Sequence, residues 1–297
     1  MPAKPIEIAP LTGAEYEYDY QQLNRLDAGM VAAYCQSLRQ RLASLARVEG
    51  ASEEWVARAY LSIKFILAST LMLSSEEYAA TRNLQVVVPY LAYYAIFNVS
   101  RAFVLMIPDQ SWDEGALAVD PTHTKVLNLT GDYLRRLAPD IAEKYQSVSR
   151  RALSARELFS YRFPALGLST SIETRPPILD DVIDVCQAVA EFSQLHSECV
   201  QSAFRRVPAV ALDRKSKTLR KLYEYEHRSV GASFEDADDR YRLWQIERHV
   251  ERPLSLHALA RPGLVEDFFG AWVTDDEKNN GSFDPDQTDW RLLFDFM

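Results

Sequence analysis

The sequence predicts an all-α protein, an up-and-down helical bundle with a smaller helical appendage towards its C-terminal side. Three observations predict it. Glycine is scarce, 10 in 297 residues, whereas a sandwich or barrel needs frequent turns. Long segments place apolar residues three and four apart, the period of a helix. No glycine-rich fingerprint of a dinucleotide or phosphate loop appears.

Residues 1–17 read as an irregular arm, and 18–206 as the bundle. The first helical segment is "YQQLNRLDAGMVAAYCQSLRQRLASLARV", with Leu23, Leu26, Met30, Ala33, Leu38, Leu42 and Leu45 at helical intervals. "GASEEWVARAYLSIKFILASTLMLSS" follows, with Ser52 expected as N-cap and Glu53 and Glu54 in the first turn. Next comes "VVVPYLAYYAIFNVSRAFVLMIP", Val86 to Pro108, with Pro89 expected in the first turn of a helix running to about Ile107. Its length would reach across a bilayer. Against that, Arg101 lies inside the run, at roughly 2.5–3.5 kcal/mol for insertion, beside Asn98 and Ser100. We therefore read it as the central helix of a bundle, touched on most sides, with no membrane partner.

"THTKVLNLTGDYLRRLAP" is a shorter helix, and "DIAEKYQSVSRRALSARELFSYRFPALG" another that ends by Pro164. "ILDDVIDVCQAVAEFSQLHSECVQSAFRR" closes the bundle. Residues 207–273 form a smaller helical region, in which "YEYEHRSVGASFEDADDRYRLWQIERHVERP" reads as polar helix, loop, polar helix. Residues 274–297 are an acidic tail with an aromatic tip. The boundary near 206 follows a change in composition.

The formal net charge is −9, so nucleic-acid binding has to come from a local patch rather than the whole surface. Cys35, Cys186 and Cys199 show no CxxC spacing and suit a reducing cytoplasm. The N-terminal residues have no basic-then-apolar leader pattern, which argues against secretion. No zinc spacing appears. "FDPDQTD" lacks the glycine and terminal glutamate of a calcium loop, so no metal and no cofactor is expected.

"YYAIFNVSRA", Tyr93 to Ala102, resembles the tyrosine-rich helix of the HEPN superfamily of small helical bundles. "PTHTKVLNL" stands where that family has a short helix opening near a histidine. "SARELFSYRF" and the long helix Ile178 to Phe204 follow in the family's order. The resemblance covers residues 52–204 and implies a HEPN-like bundle that dimerises. Active members are metal-independent ribonucleases with an Arg, four to six residues, then a His in the last bundle helix. There the histidine moves the 2′-hydroxyl proton and the arginine stabilises the phosphate charge. Here that helix offers His196, preceded by Val189, Ala190 and Glu191, and the motif is absent. Arg220/His227, Arg242/His249 and Arg252/His257 have comparable spacing elsewhere. Arg242 and His249 are the best placed, seven apart on one helical face.

Two further features carry expectations. Arg205, Arg206, Arg214, Lys215, Lys217, Arg220 and Lys221 surround a single Asp213. They either contact a nucleic-acid backbone or are neutralised within the chain. In the tip "DWRLLFDFM", Trp290, Leu293, Phe294 and Phe296 either fold back or dock on a partner or second protomer. The expected function is a non-catalytic HEPN-like component of a prokaryotic RNA-linked, toxin–antitoxin or antiphage defence system. It would act in the cytoplasm through RNA, a protein partner or a homodimer. The alternatives are a metal-independent ribonuclease using Arg242 and His249, and a purely structural or regulatory interaction subunit.

Overall fold

The computed structural model describes residues 6–15, 17–116, 122–162, 165, 176–208, 212–213, 215–227, 232–260, 262–273 and 283–295. The chain is mostly helical, in the order α1 (Ala9–Thr12), α2 (Ala28–Leu45), α3 (Ala51–Thr81), α4 (Val88–Leu105), α5 (His123–Leu137), α6 (Pro139–Glu157) and α7 (Leu179–Phe204). Then come α8 (Lys217–Arg220), strands β1 (Glu224–His227) and β2 (Ala232–Glu235), α9 (Ala237–His249), α10 (Leu256–Leu259) and α11 (Pro262–Gly270). Arg214 and Phe296 lie outside the described residues.

Helix α4 is the centre of the bundle. It packs on α3, α5, α6 and α7, and nearly all its apolar side chains are buried. Pro89 sits in its first turn as expected, where the missing N–H costs nothing. Arg101 is accommodated by lying over the Phe65 ring at 3.9 Å and the Phe97 ring at 5.6 Å, a cation–π site. Among the described residues the helix that is long and apolar enough to cross a membrane is α3, and 72% of its most apolar window is buried inside this fold.

Local signals set several helix ends. Asp27 and Asp236 cap α2 and α9 by accepting backbone N–H bonds. Helix α3 starts one residue before Ser52. Its N-cap is Gly50, whose φ of +76° is a left-handed conformation that a side chain would strain. In "FDPDQTD", Asp284 caps a single 3₁₀ turn through the Asp286 N–H. Helix α6 ends in a π-helical turn, Leu158–Arg162.

The expected polar helix after residue 222 is a β-hairpin instead. Tyr225 pairs with Phe234 and Glu226 with Ser233. The run "YEYEH" alternates with period two, the strand signal, and its high charge disguised it as a solvated helix. The change in character at 206 does not divide the core. Leu219, Leu243, Leu256, Leu264 and Phe269 belong to the same buried cluster as α3, α4 and α7. Leu293 and Phe294 of the tip are each 1% exposed, and Phe294 meets Tyr18 at 4.9 Å. The tip docks on its own body, so Leu293 and Phe294 present no surface to a partner; Trp290 is partly buried against the same core.

Glu76 on α3 is buried and its Oε2 has no hydrogen-bond partner among the described residues. Burial pushes its carboxyl up to about 8. A carboxyl whose folded pKa exceeds its unfolded one weakens the fold as pH rises from about 4.5 to about 8. Glu76→Leu is expected to gain about 1–3 kcal/mol of stability at pH 9, and less at pH 5. Denaturant titration at both values checks it; a gain independent of pH contradicts it.

Candidate functional site

The richest constellation of chemically capable side chains gathers on one face of α4. Tyr93, Phe97 and Arg101 recur every four residues and so line a single stripe. Helix α5 opens against this stripe with His123, whose ring stacks on Phe97 at 4.1 Å and 3° between planes. The Tyr93 hydroxyl lies 2.6 Å from His123 Nδ1. Arg156, near the end of α6, lies 5.3 Å over Tyr93, 5.8 Å over Tyr94 and 5.7 Å over Tyr161. Tyr161 itself stands on the π-helical turn and is 73% exposed.

Charge and protonation in this cluster follow from burial. Burial raises the Tyr93 hydroxyl to about 12, so at neutral pH it keeps its proton. Which of Tyr93 and His123 donates in their hydrogen bond depends on the His123 tautomer. The His123 ring is partly buried. Its pKa is lowered, first by burial and then by Arg156 and Arg101. Arg156 donates to the Tyr94 hydroxyl at 3.4 Å and forms no ion pair with a described carboxylate.

Sequence reading noticed His123 as the start of a helix but not this assembly. Tyr93, His123 and Arg156 lie far apart along the chain, and no spacing rule joins them. The π-turn that brings Tyr161 alongside also left no sequence signal.

The basic segment is divided by the structure. Arg205 pairs with Glu15 and Arg220 with Glu224. Arg206, Lys215 and Lys217 are exposed and form no ion pair among the described residues. The segment is fixed to the start of α3 by the Asp213 N–H, which donates to Glu53 Oε1 at 2.7 Å. Between them lies a cleft of about 740 Å³, with Arg47, Arg206, Asp213 and Ser216 in its wall.

Arg242 and His249 are not drawn into one site. The Arg242 guanidinium donates to the Gly263 carbonyl at 2.8 Å and pairs with Asp267. Gly263 permits this approach, because a Cβ there would lie 2.9 Å from Arg242 Nη1. Arg242 lines two cavities, of about 210 and 320 Å³, beside Tyr60 and Leu264. His249 lines neither and is exposed at the end of α9.

His196, the histidine of the last bundle helix, is wholly buried. Its Nε2 meets the Tyr34 hydroxyl at 2.7 Å and its Nδ1 the Met106 carbonyl at 3.1 Å. Burial lowers its pKa to about 4, so it is neutral, satisfied and closed to substrate.

Compared with known proteins, the chain matches no family model, no curated protein and no solved structure.

Proposed function

We propose that this protein is a non-catalytic, HEPN-like component of a prokaryotic RNA-linked system, of the toxin–antitoxin or antiphage kind, that binds RNA in the cytoplasm. The observation that carries the RNA reading is the trio of Arg206, which lines the α3 cleft, Lys215 and Lys217, all exposed and without ion-pair partners among the described residues. Cations so placed suit the phosphate backbone, which supplies sequence-independent affinity. The central tyrosine-rich α4, ringed by four helices, supports the HEPN-like arrangement. The absence of catalysis rests on His196, which is buried and hydrogen-bonded on both nitrogens, and on Arg242, which Asp267 and Gly263 already engage.

Fluorescence anisotropy with a labelled single-stranded RNA tests the reading. Binding is expected at low salt, with affinity falling linearly in log–log form as salt rises. Replacing Lys215, Lys217 and Lys221 together by Ala should flatten that slope by up to about 2, since each single-strand phosphate contact contributes roughly 0.7. RNA binding that the triple variant leaves unchanged, or no binding at low salt, overturns it.

A further inference from the structure

We propose that the surface formed by α9, α10 and α11 docks a basic peptide segment of a protein partner. The segment places one large apolar side chain in the cavity that Tyr241 helps to line, and its lysine or arginine side chains along the carboxylates beyond it. The inference is independent of the RNA reading, since this surface carries the opposite charge to the basic segment.

Three cavities follow one another along this face. The first, of about 210 Å³, has mainly aliphatic walls, with Val250, Leu259 and Leu264 buried and Ile246, Leu254 and Ala258 half-buried. It shares Tyr60, Arg242 and Leu264 with the second, of about 320 Å³. The second shares Asp238, Asp267 and Ala271 with the third, of about 730 Å³. Shared walls make them neighbours. An apolar hollow at one end of such a series suits an anchor residue, and the open run beyond it suits the chain on either side of that anchor.

Charge selects the partner. Among the described residues, six carboxylates and two cations line the three cavities. Both cations are already engaged, Lys64 by Asp239 and Arg242 by Asp267. Asp238, Glu266 and Asp286 all line the third cavity, are exposed, and form no ion pair among the described residues. A surface with this balance attracts lysine and arginine and repels a phosphate backbone.

The rim is aromatic. Trp272, 58% exposed, lines the second cavity, and Tyr241, 55% exposed, lines the first. The Tyr241 ring lies 6.0 Å from that of Trp244. Trp244 and Trp272 are the exposed tryptophans among the described residues, and Trp and Tyr are the residue types that dominate binding energy at protein interfaces. A tryptophan face beside unpaired carboxylates also suits a cationic side chain. The chain's own basic segment is a poor occupant, because its Leu212 and Leu219 are buried in its own core and offer no anchor.

The full chain is panned against a displayed library of random peptides, and the enriched peptides are synthesised and titrated by fluorescence anisotropy. Enrichment of sequences that combine lysine or arginine with a large apolar residue is expected, with affinity that falls as salt rises. Ala258→Phe, which fills the first cavity from a half-buried position, should weaken binding about tenfold or more. Asp238→Asn, Glu266→Gln and Asp286→Asn combined should weaken it about fivefold or more at low salt and flatten its salt dependence. All three positions are exposed, so this variant reads the surface even if Ala258→Phe lowers stability. RNA binding should be the same in Ala258→Phe and the parent, so the peptide and RNA readings fail separately. Panning that enriches no basic, apolar-anchored peptide overturns the proposal, as does peptide affinity that the triple exchange leaves unchanged. Dimerisation in sedimentation velocity that Ala258→Phe abolishes assigns the surface to a second copy and overturns it too.

Discussion

Arg58→Ala is expected to remove about 3–5 kcal/mol of folding stability, the range for breaking a buried charge network. The Arg58 side chain is 1% exposed and acts as a bracket between α3 and the end of α4. Its Nη1 donates to the Leu105 carbonyl at 2.9 Å, its Nη2 to the Gln110 carbonyl at 2.6 Å, and its Nε to Glu54 at 2.8 Å. Trp55 and Trp112 flank the guanidinium at 4.9 and 5.7 Å. Truncation leaves two main-chain carbonyls without their donor, and buried orphans of this kind cost more than the net worth of the bonds. Arg58→Met keeps the stem and loses only the fork. It should still cost about 2 kcal/mol or more. Chemical denaturation of both variants decides the matter, and losses below about 1 kcal/mol in both would show that the bracket contributes little.

The second large effect is expected at Glu191. Its carboxylate accepts the N–H groups of three consecutive residues, Gln21 at 2.8 Å, Gln22 at 2.9 Å and Leu23 at 2.9 Å. It therefore acts as a cap for the 3₁₀ turn Leu23–Arg25, supplied from α7 rather than from the local chain. Glu191→Leu strands three donors and should cost about 3 kcal/mol or more. Faster amide exchange at residues 21–23, with α7 unaffected, would locate the damage; unchanged exchange there would refute the account.

The three N–H bonds pull the Glu191 pKa down, but burial prevails and holds it at about 7. Its folded value therefore lies above its unfolded one, so its contribution declines as pH rises from about 4.5 to about 7. Glu191→Gln removes that titration, and the variant's stability should fall less than the parent's across this window.

The helices that form the bundle were legible because their signals are local. The spacing of Leu and Val in α2 and α7, and the apolarity of α4 on all sides, follow from the 3.6-residue period alone. Pro89 marked the start of α4 for a similarly local reason. The hairpin was not legible, since "YEYEH" is short and its charge outweighed its alternation. Nor were the buried carboxylates. Glu191 and Glu198 look like ordinary polar positions on a helix, and their burial is decided by an arm whose residues lie more than 160 positions away. The same distance hid the candidate site. His123 was visible as a helix start, but its contacts with Tyr93 and Arg156 exist only after α4, α5 and α6 have packed.

The capping of the arm by α7 also sets an order of events during synthesis. Leu23 leaves the ribosome 168 residues before Glu191 does, an interval of about ten to thirty seconds at usual elongation rates. Throughout that interval the arm's N–H groups bond to water instead, and Tyr18 waits longer still for Phe294 and Asp295. The arm therefore reaches its folded place only after most of the chain has been made.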